Sequence, residues 1–452
     1  MYCPKSRQDF CAFAVNLGRA GLRPFWRLEG LREAPMSLIA MQSADSNKFE
    51  VVIAGGGMVG LTLGLALAKS GIETSVVDGL DPAHVLDAKF DGRVSSFAAA
   101  SRRMLTALGL WPHLADVAQP ILDIVVGDGS VKDGASAALL HFDHREMGDQ
   151  PLAHMIENRH FRMALQREIG NAPSLTLIAP QKVLSATLGR GSIEILLGDG
   201  RRLEAALCIA ADGRDSPLRE MMGIKTIGWA YAQTGIVATI AHERAHGGVA
   251  HELFLPSGPF AILPMTGNRS SIVWTERSTQ APAFLNLDDD AFMREVGQRF
   301  GDQWGALSVA GPRWSYPLSM HLALSYMGPR FALAGDAAHS VHPIAGQGLN
   351  LGLRDAAALA EVVIEAKRLG LDIGSEAVLA RYQSWRRFDN ALFTASMDGL
   401  NRLFSNDIAP IAMARRFGMD VADSITPLKR FFMRQAGGEG GEVPRLMRGE
   451  GI

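Results

Sequence analysis

Cysteine is scarce in this sequence, which places Cys3, Cys11 and Cys208 in a chain of 452 residues. An odd number of cysteines at these separations offers neither a disulfide framework nor the spacing of metal ligands. We therefore predict no metal site and expect a reducing compartment, the cytoplasm. Cys208 lies in an apolar, strand-like run, where a free thiol behaves as a small buried hydrophobic residue.

Net charge and long apolar runs are also lacking. The formal net charge is −2 at pH 7, so the sequence indicates no basic surface and no nucleic-acid partner. The run Val51–Ala68 approaches the length of a membrane span, but glycines at 55, 56 and 57 interrupt it, and we predict no transmembrane segment. With 47% hydrophobic residues, the chain has enough apolar material for two globular lobes.

The first 48 residues differ from the rest in carrying arginines and few acids. The arginines are Arg7, Arg19, Arg23, Arg27 and Arg32. Three interpretations stay open: an organellar transit segment, a poorly ordered extension, or an upstream start with Met36 or Met41 as the true beginning. We expect no catalytic residue in this segment.

A glycine-rich fingerprint follows the first strong strand pattern. A strand, a helix and a second strand are predicted at Phe49–Ala54, Leu61–Ser70 and Glu73–Val77. Between the first two, Gly55, Gly57 and Gly60 fit the dinucleotide-binding pattern G-x-G-x-x-G. Gly55 makes the turn, Gly57 admits a pyrophosphate, and Gly60 lets the helix pack on the strand. Asp78 ends the second strand, where an acid binds ribose hydroxyls.

A second strand–loop–helix unit lies far along the chain. The predicted strand Phe331–Ala334 ends at Gly335-Asp336, and a loop containing Gly346 and Gly348 leads into a helix that begins near Gly348. The backbone N–H groups of Gly348, Leu349 and Asn350 then point out of the helix N-terminus, where the helix dipole favours negative charge. Gly346 and Gly348 let a flat ligand approach the backbone closely.

These residues resemble a known enzyme family. The segments GDAAH at 335–339 and HPIAGQGLNLGLRD at 342–355 resemble the second flavin-binding motif of the aromatic-ring flavin monooxygenases related to para-hydroxybenzoate hydroxylase. The form H-P-x-A-G-Q-G-L-N-L-G is similar to one branch, the hydroxylases of ubiquinone biosynthesis. Two further segments, Glu157-Asn158-Arg159 and Asp212-Gly213, also resemble motifs of this family. With the fingerprint at 55–60, the four motifs occur in the order found in the family.

The resemblance extends cofactor-binding roles to further residues. It implies that Arg93 reaches the flavin side of the site, that Arg159 contacts the cofactor, and that Asp212 belongs to an internal Asp-Gly motif. Each has an ordinary structural alternative: a solvated arginine at a turn, a surface ion pair, and a plain turn. Gly335 and Asp336 are expected to bind the same cofactor.

The resemblance also implies an activity. It indicates one FAD, dioxygen as co-substrate, a polyprenylated phenol as acceptor, and ring hydroxylation through a flavin hydroperoxide. Pro343 matches a proline whose carbonyl borders the reacting face. His342 and His339 are candidate general bases, because a phenolate attacks better than a phenol; the alternative is that they hold the loop by hydrogen bonds.

The source of electrons is left open by the sequence. The pattern G-x-G at 189–191 lies in a predicted hairpin, so we predict no separate nicotinamide domain. NAD(P)H then docks transiently, or a partner protein donates electrons, and a ubiquinone-biosynthesis protein assembly is a further expected partner. Two alternative functions are a flavin-dependent reductase and a non-catalytic flavoprotein scaffold.

The fold predicted is α/β. It combines a discontinuous Rossmann-type FAD-binding domain with an inserted antiparallel substrate domain and a C-terminal helical segment. The predicted ranges are 49–120, 150–222 and 325–390 for the FAD-binding domain, 121–149 and 223–324 for the substrate domain, and 391–452 for the C-terminal region. These ranges rest on strand-rich runs that follow one another without helices in the substrate domain.

The C-terminal region contains a basic amphipathic pattern. Leu428, Phe431 and Phe432 share one face of a predicted helix, and Arg430 and Arg434 share another. Such a helix lies on a membrane surface or packs on the protein body, and the sequence leaves both interpretations open. Peripheral contact with the inner membrane is therefore one expectation, and the glycine-rich stretch from residue 437 onward is predicted to be a loose tail.

Overall fold

The computed structural model describes residues 47–85, 91–128, 138–405 and 425–452. The predictions for residues 1–46, including Cys3 and Cys11, lie outside the described residues, as does Gly129 of a turn predicted at Asp128-Gly129. The side chain of Leu428 also lies outside them.

The first lobe is built on a mainly parallel sheet. Its strands, in spatial order, are Met327–Gly328, Phe331–Leu333, Arg202–Ala210, Lys48–Ala54, Thr74–Val77 and Leu175–Ile178. In the centre, Ile53 faces Ile209 on one side and Val76 on the other, and all three side chains are fully buried. A parallel sheet is covered on both faces, which explains the continuous apolar run in its central strand.

Two helices cover this sheet around the glycine-rich fingerprint. They are Met58–Lys69 and Gly348–Arg368. A Cβ atom at Gly352 would stand 2.7 Å from Val59 Cγ2, so the helices approach each other closely because residue 352 is glycine. Strand Phe331–Leu333 and helix Gly348–Arg368 thus join the fingerprint from a distant part of the chain.

A hairpin and a small sheet extend the first lobe. Strands Val183–Leu188 and Ile193–Leu197 add in antiparallel order to Arg202–Ala210. Strands Val94–Ala98, Ala153–Glu157 and Gln119–Ile121 form the small sheet.

Strand Val94–Ala98 of the small sheet is followed directly by helix Ala99–Ala107. The sequence pattern at 154–159 predicts a helix that opens at His154, and this prediction was wrong: strand Ala153–Glu157 comes first, and the helix begins at Asn158. Every residue of that strand is buried, so it lacks the polar–apolar alternation that identifies a strand in sequence.

The second lobe is a twisted, largely antiparallel sheet. Its strands, in spatial order, are His339–Ser340, Trp314–Ala323, Thr226–His242, Arg269–Arg277, Gly258–Met265, Val249–Leu255, Asp123–Asp128 and Ala138–Asp143, with Leu307–Val309 added to Thr226–His242. The pairing of Val249–Leu255 with Asp123–Asp128 is parallel, and the two strands come from separate segments of the chain. The predicted α/β architecture with an inserted antiparallel sheet and C-terminal helices is confirmed.

The two faces of this sheet have different partners. On one face, Phe260, Ile272 and Trp274 form a buried core with helix Asp289–Phe300, whose N-cap Asp288 accepts a hydrogen bond from Ala291 N at 2.7 Å. The other face looks toward the first lobe. This arrangement leaves one sheet face to form the wall of a cavity.

The C-terminal region is helical and docked. It contains helices Glu376–Phe404, Thr426–Ala436 and Arg445–Arg448. The loose tail predicted after residue 437 was wrong: Leu446 and Met447 are buried, and Arg354 Nη2 donates to the Glu442 carbonyl at 2.9 Å. These contacts come from residues distant in sequence and leave no local signal.

Shorter helices connect the sheets. They are α-helices Pro82–Val85, Asn158–Ile169, Pro217–Met221 and Ala281–Leu285, and 3₁₀ turns Trp111–His113, Ala115–Val117, His144–Glu146, Asp302–Trp304, Gly335–Ala337 and Ile344–Gly346. Across the described ranges, no helix has both the length and the apolar character that crossing a membrane requires.

Candidate active site

A cavity of about 1180 Å³ lies between the two lobes. Its first-lobe wall is made at the carboxyl ends of three parallel strands, by Gly57, Gly213 and Asp336. Ligands of α/β sheets bind at such strand ends. Its opposite wall is the free face of the second-lobe sheet, so a bound ring would lie between the two lobes.

The fingerprint glycines have three different geometric roles. Gly55 has φ of +105°, and a Cβ there would stand 2.3 Å from the Ala211 carbonyl oxygen. A Cβ at Gly60 would stand 2.0 Å from the Gly55 carbonyl oxygen, so this glycine permits the helix to contact the strand. A Cβ at Gly57 would meet no protein atom within 4 Å, which leaves room for a ligand.

Asp78 stands beside the fingerprint loop. Its Oδ1 atom accepts a hydrogen bond from Leu80 N at 2.8 Å, and its Oδ2 atom would be 2.4 Å from a Cβ at Gly56. Glycine at residue 56 therefore allows the carboxylate to approach the loop, the position that suits a ribose. Burial and the charge of Arg93 lower the pKa of Arg162, while Asp78 acts in the opposite direction.

The second loop turns sharply at glycine. Gly335 and Gly346 have φ values of +61° and +60°, in the left-handed region that glycine favours. Pro343 and Gly348 both line the cavity. The first backbone bond of the following helix runs from Leu351 N to Gln347 O at 3.0 Å, so the N–H groups before it are directed out of the helix end.

The Asn350 side chain fixes the helix N-terminus. Its Oδ1 accepts hydrogen bonds from Ala98 N at 2.9 Å and Ser101 Oγ at 2.7 Å, and its Nδ2 donates to the Ser96 carbonyl at 2.9 Å. The sequence predicted Asn350 as a cofactor-binding residue through its backbone. The side chain adds a second role, which ties the helix to the small sheet.

A buried polar network supports the same helix from behind. The Asp355 carboxylate accepts hydrogen bonds from Gly335 N at 3.2 Å, Arg386 Nε at 2.9 Å and Asn390 Nδ2 at 3.1 Å, and it contacts His339 Nε2 at 2.5 Å. Burial alone would raise the pKa of Asp355, but His339 and Arg386 lower it to about 2. His339 thus has a structural partner.

His342 is buried behind Pro343. Its Nδ1 accepts a hydrogen bond from Ile344 N at 3.4 Å, its ring contacts Tyr231 edge-on at 5.1 Å, and Nε2 has no partner among the described residues. Burial lowers the pKa of His342 to about 4, and the imidazole is therefore neutral at pH 7. Pro343 borders the cavity directly, whereas a catalytic role for His342 stays a prediction.

Arg93 and Arg159 occupy different surroundings. Arg93 lines the cavity and pairs with Asp91, with Nε 2.7 Å from Oδ2. Arg159 Nε donates to Glu157 Oε2 at 2.7 Å, and Arg269 Nη2 donates to the other oxygen of Glu157 at 3.0 Å. The ion-pair alternative for Arg159 therefore has a geometric basis, and its contact with a cofactor stays a prediction.

The Asp-Gly motif places a carboxylate at the end of strand Arg202–Ala210. Ser216 caps the next helix by accepting a hydrogen bond from Arg219 N at 3.0 Å. Asp212 Oδ2 accepts from Leu218 N at 3.4 Å, and Oδ1 is buried with no partner in the described structure. Burial raises the pKa of Asp212. The next residue but one, Arg214, lines the cavity and was not predicted as a site residue.

These features fit FAD. Open space at Gly57 and Gly348 marks where a ligand meets backbone, and the unpartnered Oδ1 of Asp212 is available for a hydroxyl group. Asp78, Asp212 and Asp336 would hold the sugar and ribityl portions, and the N-terminus of helix Gly348–Arg368 would face the electron-rich end of the flavin. No group of His, Cys, Asp and Glu with metal-binding geometry occurs in the described segments.

Comparisons with known proteins agree with this site. The family described as FAD binding domain matches residues 48–388. The chain is 49% identical over 405 residues to ubiquinone hydroxylase UbiL of Rhodospirillum rubrum, covering 88% of this chain and 92% of that protein. It is 34% identical to the 3-demethoxyubiquinol 3-hydroxylase of Escherichia coli, covering 86% of this chain and 98% of that protein.

A solved structure shows the same fold. The p-nitrophenol 4-monooxygenase PnpA of Pseudomonas putida superimposes with a TM-score of 0.72 at 20% identity, covering 88% of this chain and 100% of that chain. The chain therefore belongs to the FAD-dependent ring-hydroxylating monooxygenases, with FAD as cofactor, in the branch that contains the hydroxylases of ubiquinone biosynthesis.

Proposed function

We propose that this enzyme hydroxylates the aromatic ring of a polyprenyl phenol in ubiquinone biosynthesis. One oxygen atom of dioxygen replaces a ring hydrogen as a hydroxyl group. The other oxygen atom is released as water, whose formation takes two electrons from the reductant and two protons, at least one of them from solvent. FAD supplies the oxygen-activating chemistry, and the protein binds, orients and shields the reactants.

The observation that carries this proposal is the apolar end of the cavity. Val126, Phe254 and Phe404 pack together there, and Phe254 and Phe404 stack with ring centroids 3.9 Å apart. Further apolar side chains line the same region: Ile124, Leu140, Phe142, Leu400, Leu403 and Met433. An aromatic ring held near Pro343 could place an isoprenoid chain along this wall, where burial of apolar surface stabilises binding.

The loop and helix on the opposite wall suit the reacting end of the substrate. Pro343 and Gly348 face the cavity, and Asn350 and Asp355 anchor the helix that follows. A rigidly held helix N-terminus stabilises negative charge at the flavin without reorganisation during the reaction. Closure by the second-lobe sheet limits entry of water.

The electron donor is NAD(P)H or a partner protein in this proposal. The dinucleotide fingerprint at 55–60 is assigned to FAD, so a nicotinamide nucleotide would dock transiently. A protein assembly of ubiquinone biosynthesis would deliver a water-insoluble substrate and could also provide the electron donor.

Peripheral membrane contact is proposed at the apolar mouth of the cavity. Phe432, Leu400 and Leu403 line the cavity and are also partly exposed on the surface, and Phe431 beside them is 54% exposed. Exposed apolar side chains grouped around a cavity mouth favour a lipid surface. The exposure of Phe431 supports the membrane interpretation of the C-terminal helix over packing on the protein body.

Mass spectrometry with isotope-labelled dioxygen tests the reaction. Purified enzyme with FAD, NAD(P)H or a chemical reductant, and a prenylphenol should yield a product with one labelled oxygen atom. A reduced product without label would identify a reductase. Binding of FAD without turnover of any prenylphenol under all these conditions would favour a scaffold.

A further inference from the structure

We propose that Glu252 is the acid–base residue that accepts the phenolic proton of the substrate, a role that rests on the proposed hydroxylation of a phenol. The residue lies in strand Val249–Leu255 of the second lobe and lines the cavity. The sequence alone does not identify this residue, because the orientation of a side chain on this strand depends on the register of the sheet.

The register shows which way Glu252 points. It is paired with Val126 on one side and with Ala261 on the other, and Ala261 is paired with Val273. All four residues line the cavity. The next residue, Leu253, pairs with Phe260 and belongs to the core on the opposite face. Because side chains alternate along a strand, Glu252 faces the cavity.

Glu252 stands out chemically on this wall. The cavity-facing residues around it, Val126, Ala261 and Val273, are apolar, and so are Ala250 and Phe254 on its own strand. No hydrogen bond joins the Glu252 carboxyl to another described residue, although part of its surface remains accessible from the cavity. A carboxyl group placed on an apolar wall without a protein partner is a candidate for contact with a ligand.

The position suits the head of a prenylphenol. Along the strand, Ala250 packs with Met155 of the small sheet, on the side of the first lobe. In the other direction, Phe254 packs with Phe404 at the apolar end of the cavity. Glu252 lies between them, where a phenol hydroxyl would be found if the isoprenoid chain occupies the apolar end.

Other candidate bases are less well placed. The His339 side chain contacts Asp355 within a buried network, and His342 does not border the cavity. The His251 ring contacts Trp304 at 5.6 Å, on the core side of the sheet. Burial raises the pKa of Glu252 to about 8, which keeps the carboxyl close to its protonation midpoint near neutral pH.

The proton balance is simple. As the ring carbon bonds to one oxygen atom of activated dioxygen, the O–O bond breaks and its electron pair stays on the other oxygen atom. The phenolic O–H bond breaks at the same time, its electron pair moves toward the ring, and the proton moves to Glu252. The resulting ring carbonyl takes that proton back when the ring C–H proton leaves to solvent and aromaticity returns. Glu252 ends in the protonation state in which it began.

Other ionisable groups face the same region and bear on its pH dependence. Asp128 lies on the neighbouring strand, two residues beyond Val126 on the same face. Across the cavity are Arg93, Arg214 and Asp336, and Tyr316 lies on strand Trp314–Ala323 of the same sheet as Glu252. Neighbouring strand Gly258–Met265 presents Pro259, Ala261 and Leu263 to the cavity, none of which is ionisable.

Glu252→Gln tests the assignment, with a short-chain prenylphenol and its ring-fluorinated analogues as substrates. The amide keeps the size of the side chain but cannot accept the proton. We expect normal FAD binding, a KM close to that of the wild type, and kcat lower by roughly 10²-fold, typical of a lost general base. Wild-type kcat should rise as pH increases through about 8, and this rise should disappear in the variant.

Substrate acidity provides the decisive comparison. A fluorinated phenol that ionises more readily depends less on a base to accept its proton. The decrease in kcat caused by Glu252→Gln should therefore become smaller as the acidity of the substrate increases. Glu194→Gln, at an exposed position on strand Ile193–Leu197, is the control and should behave as wild type. Wild-type kcat and pH dependence in Glu252→Gln, or an equal loss with every phenol, would overturn the proposal.

Binding spectra separate this proposal from the reaction itself. The ultraviolet band of the bound prenylphenol should show phenolate at higher pH in the wild type than in Glu252→Gln, whether or not oxygen is transferred, because a neighbouring carboxylate accepts a hydrogen bond from the neutral phenol and repels the phenolate. Such a difference without labelled product would contradict hydroxylation and retain the place of Glu252 beside the phenolic hydroxyl group. If the wild type hydroxylates the phenol and the bound phenol ionises at the same pH in both proteins, the role of Glu252 is contradicted and the hydroxylation is not.

Discussion

A Cβ atom at Gly348 would meet no protein atom within 4 Å, and Gly348 borders the cavity. Gly348→Val therefore leaves the protein packing unchanged and fills space proposed for the flavin. We expect FAD to bind roughly 10-fold to 100-fold more weakly, because the valine prevents hydrogen bonds worth about 1–3 kcal/mol, and hydroxylation to be lost. Flavin fluorescence titration measures the dissociation constant.

Gly297→Val is a matched control for this change. Gly297 also lies within a helix, and a Cβ atom there would meet no protein atom within 4 Å. It belongs to helix Asp289–Phe300, which does not line the cavity. The control should bind FAD normally, and it should show any change in the free energy of unfolding that valine causes within a helix. Full FAD affinity and activity in Gly348→Val would show that the flavin lies elsewhere.

Single residues differ in how far sequence predicts their roles. The turns at Gly55, Gly335 and Gly346 follow from local backbone requirements, and their positive φ values agree with them. The hydrogen bonds of the Asn350 side chain could not be predicted from local sequence, because its partner Ser101 is 249 residues away. Glu252 required the register of a sheet whose strands come from separate segments. Contacts across the fold carry no local sequence signal.

At the scale of elements, helix Gly348–Arg368 is held by one buried carboxylate. Asp355 joins the turn at Gly335 to Arg386 and Asn390 of the following helix. Asp355→Asn removes the charge opposite a fully buried arginine. We expect a loss of roughly 3–5 kcal/mol in the free energy of unfolding, measured by urea denaturation at pH 7.

The pH dependence has a defined direction. The folded-state pKa of Asp355 is lowered to about 2, below the value of about 3.9 for an unfolded aspartate. Its stabilising contribution is therefore present above about pH 4 and is lost as pH falls toward 2. Asp355→Asn should reduce this part of the acid dependence. Glu365 lies on the same helix as Asp355, and Glu365→Gln, which breaks an exposed ion pair with Arg381 of the following helix, should cost less than about 1 kcal/mol. Equal stability of the two variants would contradict the network's role.

Elements with clear periodicity were predictable, and those shaped by tertiary contacts were not. Helix Asp289–Phe300 has an acidic N-cap and an apolar face. The sequence predicts this helix over 288–300, one residue longer than the helix observed. Strand Trp314–Ala323 was missed, although it pairs along much of Thr226–His242. Strand Ala153–Glu157 was misread because both of its faces are buried. Burial on both faces removes the alternation on which strand prediction depends.

At the scale of the whole molecule, the site is assembled from segments far apart in sequence. The fingerprint at 55–60, the Asp-Gly motif at 212–213 and the loop at 335–348 meet at one edge of the parallel sheet. This discontinuity was predictable, because each motif ends a recognisable strand and parallel strands present their carboxyl ends together. The apolar end of the cavity could not be predicted from the sequence, because its wall combines the second-lobe sheet with C-terminal helices.

The surface around the cavity mouth yields a prediction about the enzyme and the lipid phase. Phe431 and Phe432 are 54% and 45% exposed, and Phe432 also borders the cavity. Phe431→Ser combined with Phe432→Ser should weaken binding to anionic vesicles roughly 10-fold or more, because each buried phenylalanine contributes about 1.5–3 kcal/mol. Co-sedimentation measures this binding, and the flavin spectrum should stay unchanged.

A second pair of leucines supplies the control for that prediction. Leu184 and Leu188 are 49% and 51% exposed on strand Val183–Leu188, which belongs to the first lobe. Serine at both positions should leave vesicle binding unchanged if the mouth is the membrane-facing region. The phenylalanine variant should also raise the KM for long-chain prenylphenols more than for short-chain ones, since only the former need extraction from lipid. Unchanged vesicle binding would contradict membrane contact here, and loss of FAD or of folding would show that these rings stabilise the protein body.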